Sequence, residues 1–530
     1  MINILKDHFS DCSNKSLKIS VIDIGSNTIK LVNYDITRNN LFTAYQQESS
    51  KVRLGDSLSR THELGEQSML KAIDVLLLYC DIIKLESVKN VICIGTSALR
   101  EAKNGEYFAD QVFRKTGLMV NIITGSEEAY YAYLGASMST CFPSALYFDL
   151  GGGSLELVYT ENYKIKRADS LPLGALRLGE LYGKKDGSYS KKDLEAMVQY
   201  IREALPNRKT YGLGIDTILV GSGGTLRALA RYDQISEGYL FEKIHNYRLK
   251  INSIEPKAKE FGLMKPGEIS ALSAMDSTRA ETVVAGTFVI LTLMKQYDFT
   301  ETVVSAFGLR EGVLASYLDN PDIFQSHNMQ NLERQITELV SAKCKRDNHY
   351  FGMENLVQYM VSNGLLKERE SEILSYALDT MARLPASDRI YTQFYSLLDE
   401  IYPDLSNREQ LVLALSIVYS KKVKAAEWLV RKHELLLKPQ NQKSIWKIGI
   451  LLKLGYLLIK SRSRTRIRKI ERGRIIIDII STQKSFPKVF LQYIIQKMGD
   501  VFDISIQINI NDNTNSSKTV DNSITLKSKL

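Results

Sequence analysis

Two stretches of the chain put the same residue types in the same order. VIDIGSNTIKLV covers 21–32 and YFDLGGGSLELV covers 147–158. Set against each other, Asp23 falls on Asp149, Gly25 on Gly151, Leu31 on Leu157 and Val32 on Val158. Glycine loses the most backbone freedom on ordering, so Gly151, Gly152 and Gly153 in a row need a reason. Anion binding supplies one. A bare backbone brings its N–H groups close to an oxyanion, and Ser26, Thr28 and Ser154 add hydroxyl donors. An aspartate at a strand end suits a hard cation such as Mg²⁺, which neutralises phosphate charge and keeps several waters. One such turn would fit an ordinary hairpin. Two at equivalent places in a duplicated unit point to phosphate chemistry between two lobes.

Strands must hold these turns. KISVIDI at 18–24 reads as a buried strand, GSNT turns it, and IKLVNYD and LFTAYQQ read as the next two strands. Apolar residues recur at helical spacing over 63–85. A strand at 91–95, a helix at 104–116, a strand at 119–123 and a helix at 126–135 follow. The pattern restarts at ALYFD (145–149) and runs through LELVYT and YKIKRAD. A helix opened by Ser190 as N-cap and the strand IDTILVGSG come next. The expected fold class of this half is α/β, two duplicated lobes.

Of 530 residues, 44% are hydrophobic and 24% charged, ordinary values for a folded globular chain. The five cysteines (Cys12, Cys80, Cys93, Cys141, Cys344) form no CxxC pair, so neither a zinc site nor a disulfide framework is expected. The N-terminus lacks an apolar signal core, and the most apolar helical stretch, 445–459, is broken by Lys447 and Lys453. These features predict a cytoplasmic protein without a membrane span. The formal charge of +9 is uneven: 451–480 holds nine Lys and Arg against Glu471 and Asp478.

The motifs DIGSNT, GTSALREAKN, GSEEA, DLGGGSLELV, GSGGT and GLREG occur in that order over 20–313. In this the chain resembles the exopolyphosphatase and guanosine pentaphosphate phosphatase family, part of the actin-like, sugar-kinase-like and Hsp70-like ATPase group. The resemblance implies two actin-like (ribonuclease H-like) lobes. It implies that Gly25, Ser26, Asn27 and Thr28, with Gly151, Gly152, Gly153 and Ser154, hold a terminal phosphate. Arg100 would touch that phosphate too, and Gly223 in GSGGT would support substrate phosphates. Glu128 would position or deprotonate the attacking water, with Glu127 its structural neighbour, and Asp149 and Glu156 would serve the metal, Mg²⁺, or the water. Such hydrolysis needs charge neutralisation and an oriented water more than a covalent nucleophile. Lys30, at the place of Glu156 in the first lobe, reads as a solvated strand residue. Leu155 stands where many relatives have a hydroxyl, so a donor near the phosphate is expected to be missing.

The expected domains are 1–140 and 141–318 for the two lobes, 319–473 for a helical region and 474–530 for a small α+β domain with a polar tail. Helices are expected at 326–345, 353–365, 368–382 and 408–432. Relatives of this length carry a helical region resembling HD-type metal-dependent phosphohydrolases. Here that region has His327, His349 and His433 but no HH or HD pair, so no second metal centre is expected. The helices are expected to shape a substrate channel or a dimer interface, the assembly being a homodimer. The basic run 460–474 reads as a grip for a polyanion through Arg462, Arg464, Arg466 and Arg468, or as a solvated helix end and linker. Nucleic acid is not the expected partner, since no aromatic platform is interleaved with these arginines.

The reading is an exopolyphosphatase releasing terminal orthophosphate from inorganic polyphosphate. Guanosine pentaphosphate (pppGpp) 5′-phosphohydrolysis is the alternative. An actin-like kinase or chaperone, or a non-catalytic polyphosphate or nucleotide sensor, would be a different class. The motif set, with Glu128, Asp149 and Glu156 intact, argues against both.

Overall fold

Strand β1 (Leu17–Ile24) shows how the first lobe is built. Its alternation sends Ile19 and Val21 into one apolar core and Ile22 and Ile24 into another, so both faces are covered. It pairs antiparallel with β2 (Thr28–Ile36), which pairs antiparallel with β3 (Phe42–Lys51). On its other edge it pairs parallel with β4 (Asn90–Gly95), which is parallel to β5 (Val120–Ile122). The sheet order is β3-β2-β1-β4-β5.

The second lobe repeats this plan. Its strands are β6 (Ala145–Leu150), β7 (Leu155–Glu161), β8 (Lys164–Leu171), β9 (Ile218–Gly223), β10 (Arg248–Lys250) and β11 (Glu301–Val304), in the order β10-β11-β9-β6-β7-β8. β8-β7-β6-β9 therefore matches β3-β2-β1-β4, both sheets being mixed. Leu146, Phe148 and Leu150 face the second lobe's own core. Tyr147 joins Val21, Val32 and the helix Gly125–Ser139 in a core that both lobes share. Ser190 caps the helix Lys191–Ala204 as expected, accepting from Asp193 N at 3.2 Å.

The computed structural model describes residues 17–36, 42–56, 58–239, 243–273, 275, 277–321, 329–344, 350–383, 389–400, 402, 405–471, 474–481, 487–512 and 524–525. They fall into two units, Met1–Cys344 and Lys345–Leu530. The helix Met329–Cys344, counted with the helical region in the sequence, puts Leu332, Ile336 and Val340 into the core shared by the lobes. The second unit begins with the helices Glu354–Ser362, Glu368–Arg383 and Ile390–Asp399. The single helix expected over 408–432 is two, Asn407–Lys421 and Val423–Lys432, because Lys422 is extended (φ −141°, ψ 95°). Asn407–Lys421 is apolar and buried almost all round, which marks the central helix of this unit.

The basic run starts at the end of the helix Pro439–Lys460 and continues mainly as an edge strand, β12 (Arg464–Glu471). It pairs antiparallel with β13 (Arg474–Ser481), and the helix Lys488–Phe502 connects β13 to the parallel β14 (Ser505–Asp512). A short β15 (Ile524–Thr525) closes the order β12-β13-β14-β15. Cys80 and Cys93 are free and buried, but Cys141 is disulfide-bonded, where the cysteine spacing suggested no disulfide framework. Among the described residues no helix is long and apolar enough to cross a membrane. His327, His349 and the expected polar tail at 513–523 lie outside the described residues.

Candidate functional site

Both glycine turns close the same way. Gly25 N donates to Thr28 O at 3.1 Å, and Gly151 N to Ser154 O at 3.0 Å. Strand register then sets Asp23 opposite Lys30 and Asp149 opposite Glu156. The carbonyls of the turns, which would repel an anion, are tied back. Ser26 O accepts from Gly55 N (2.8 Å), and Asn27 O from Val52 N and Arg53 N (3.1 and 2.9 Å). In the second turn, Gly151 O accepts from Ala175 N (3.0 Å) and Gly152 O from Leu176 N (2.9 Å). These donors open the helix Ala175–Tyr182, and Arg177 Nε serves Gly153 O at 2.8 Å. Ser26 Oγ and Asn27 Oδ1 are buried without a hydrogen-bond partner, as side chains awaiting a ligand are.

The turns line a cavity of about 110 Å³ together with Asp23, Lys30, Thr96, Ser97, Glu128, Asp149, Glu156, Gly223, Arg227, Arg279 and Arg310. Gly223 has φ 105°, and its register beside Leu150 leaves no room for a Cβ. The helices Gly224–Ser236 and Leu309–Asp319 begin at this cavity, so their partly positive N-terminal ends favour an anion there.

Five carboxylates line this small space: Asp23, Glu128, Asp149, Glu156 and Glu311. Burial raises Glu128 to about 7; Arg100 opposes the shift, while Asp23 and Asp149 add to it. Burial also raises Glu156 well above the usual carboxylate range, and Glu128 and Asp149 push it further. Asp149 rises through burial, held back by Arg227 and Ser222. Glu127 is structural, as expected: it forms the capping box with Thr124, accepting from Thr124 N at 2.7 Å.

Three residues have surroundings that the sequence did not give. Arg100 does not line the cavity; its Nη1 donates to Glu128 Oε2 at 2.8 Å and to Ile123 O at 3.0 Å. Lys30 is half-buried in the site rather than solvated, and burial, aided by Arg310, lowers it to about 8. Leu155 is fully buried in the second lobe's core and does not line the cavity.

A second cavity of about 420 Å³ shares Lys30, Gly224, Arg227, Arg279 and Arg310 with the first and adds Arg231. Gln47, Glu48 and Ser49 of β3 form its other wall. Of its basic residues the sequence reading assigned a place to Lys30, as solvated, and the resemblance gave Asp23 no role of its own. Arg310 lay in the GLREG motif, and Arg227 follows GSGGT by two residues, which were the available signals. Arg462, Arg464 and Arg466 are exposed in the second unit, and the side chain of Arg468 lies outside the described residues.

The donor set can be tested against Mg²⁺. Among the described residues no three His, Cys, Asp or Glu groups form a metal cage by themselves. Mg²⁺ ordinarily takes one or two carboxylates, waters and substrate phosphates instead. Mutually repelling carboxylates beside an anion-binding turn fit that habit.

A family model described as the Ppx/GppA phosphatase family matches residues 34–321. The chain is 27% identical to a guanosine-5′-triphosphate,3′-diphosphate pyrophosphatase of Aliivibrio fischeri, over 58% of this chain and 60% of that protein. It is 23% identical to exopolyphosphatase 1 of Mycobacterium tuberculosis, over 57% of this chain and 89% of that one. It spans only 47% and 60% of the length of the first curated relatives it matches. The crystal structure of an exopolyphosphatase from Cytophaga hutchinsonii superposes with a TM-score of 0.54 at 28% identity, covering 57% of this chain and 98% of that one.

Proposed function

The chain belongs to the Ppx/GppA phosphatase family, and on that premise we propose that it is an exopolyphosphatase, a hydrolase that removes the terminal orthophosphate of inorganic polyphosphate. The observation that carries this reading is the pair of joined cavities. One holds the glycine turns and five carboxylates, and it shares lining residues with a second that is walled by five basic residues. A polyanion would place its end in the first and its following phosphates in the second.

The residues divide the work as follows. The two turns, with Ser26 and Asn27, hold the terminal phosphate. Lys30, Arg279 and Arg310 neutralise the next phosphates and so the charge on the leaving oxygen. Glu128 orients a water on the terminal phosphorus and takes its proton, and a pKa of about 7 suits a general base at neutral pH. The water oxygen bonds to phosphorus, the bridging P–O bond breaks, and orthophosphate and a chain one unit shorter result. Arg100 acts through Glu128 by holding its carboxylate. Asp149 and Glu156 are the residues that would hold Mg²⁺, which when bound supplies positive charge against the phosphate oxygens.

The alternative substrate is pppGpp, favoured by the pyrophosphatase name of one relative. Phosphate release from long polyphosphate, pppGpp and ATP, side by side with and without Mg²⁺, tests the reading. Release from polyphosphate in Mg²⁺ is expected; turnover of pppGpp alone would favour the alternative, and no turnover would favour a sensor. Sparse cysteines motivate the proposed cytoplasmic setting, although the Cys141 disulfide weighs against it, and the helical second unit motivates the proposed homodimer, which sedimentation velocity tests.

A further inference from the structure

The helix Ser97–Glu101 has five residues, and three of them reach different parts of the site. Ser97 lines the cavity. Arg100 holds Glu128 at 2.8 Å. Glu101 accepts from Ser97 Oγ at 2.8 Å and, across the cleft, from Arg177 Nη2. Arg177 belongs to the second lobe, and its Nε donates to Gly153 O at 2.8 Å. One guanidinium thus grips a carbonyl of the second glycine turn and a carboxylate of the first lobe together. Its planar fork allows this, and a lysine ammonium could not reproduce it. The turn it holds has no slack: a Cβ on Gly153 would lie 2.6 Å from Ser26 Oγ and nearer still to Ser97 Oγ. Arg177 is only 16% exposed and Glu101 35%, so the contact is partly sheltered from solvent.

We propose that Arg177 is a positioning residue that clamps the second glycine turn to the helix Ser97–Glu101 and thereby couples phosphate binding at that turn to the orientation of Glu128. Its effect on rate rests on the hydrolase reading; its effect on anion binding does not. Both are measured on the full chain, as the rise in melting temperature given by tripolyphosphate without Mg²⁺ and as phosphate release with Mg²⁺. Arg177→Ala is expected to lose most of the ligand-induced rise and to lower kcat/KM by about 10- to 100-fold, the scale of a small misplacement at a reacting centre. Millimolar guanidinium should restore part of both, and Arg177→Lys should not match the wild type. Adding Glu101→Gln to Arg177→Ala should cost little more, because the two residues form one clamp. A wild-type ligand response in Arg177→Ala, or fully additive losses in the double variant, would overturn the proposal. If Arg177→Ala does not fold, Glu101→Gln carries the same test, with a several-fold loss expected and an unchanged ligand response counting against the clamp. If the wild type releases no phosphate from any substrate, the hydrolase reading fails while the ligand response still decides the clamp.

Discussion

Arg100→Gln separates two roles that one arginine could have. In the structure its guanidinium donates to Glu128 Oε2 at 2.8 Å and does not line the cavity. Burial raises Glu128 to about 7, with Arg100 holding it down. A hydrogen bond to a charged group contributes about 1.5–3 kcal/mol, and about 1.4 kcal/mol corresponds to one pKa unit. Losing the guanidinium should therefore move Glu128 up by about one to two units, to between about 8 and 9. At pH 7 the ionised fraction would drop from about one half to between about one tenth and one hundredth, a loss of roughly 5- to 50-fold in rate if Glu128 is the base. The assay is kcat/KM for phosphate release from tripolyphosphate, followed from about pH 5.5 to about pH 10 at fixed Mg²⁺. The acid limb should shift upward relative to the wild type, and the ratio of variant to wild-type activity should recover at high pH, where Lys30 loses its charge in both. An unshifted limb with a uniform loss would refute the argument and show that Arg100 acts on the phosphate itself.

Glu128→Gln should leave the fold and substrate binding in place and lower kcat by about 10²–10⁴-fold, which single-turnover phosphate release would detect. Because its pKa is raised from 4.5 to about 7, the folded state keeps a proton that the unfolded state loses across that window, so wild-type stability falls as pH rises through it. Calorimetry should accordingly find Glu128→Gln melting above the wild type at pH 8, with the gap closing below pH 4.5. Asp149→Ala should need far more Mg²⁺ for activity or stay inactive, and an unchanged Mg²⁺ titration would place the metal elsewhere. Gly153→Ala drives a methyl against Ser26 and Ser97, so tripolyphosphate should no longer stabilise the variant in a thermal shift. Changing Arg462, Arg464, Arg466 and Arg468 together to Gln should raise KM for long polyphosphate, flatten its salt dependence and spare tripolyphosphate, if the exposed basic strand grips the chain; equal kinetics on both substrates would leave it a solvated edge.

What the sequence determined by itself was local. Asp23 and Asp149 lie two residues before glycine turns that close by contacts three residues apart, so residue order alone could place them in matching hairpins. β1 and β6 announced themselves through alternating or continuous apolar residues, and Ser190 through its place as an N-cap before a helical pattern. Periodicity says which face of an element is apolar, but not where a charged group on another face will point. Only the tertiary structure brought Lys30 of β2, Arg227, Arg279 and Arg310 from four separate elements to one cavity, and only it set Arg100 on Glu128. Leu155 looked like a missing donor until strand pairing turned it into the core, and the alternative of a helix end and linker for the basic run gave way where Arg464–Glu471 paired with Arg474–Ser481. These outcomes depend on which segments fold against each other across long sequence separations, and burial among those segments is what sets the pKa of Glu128 and Lys30.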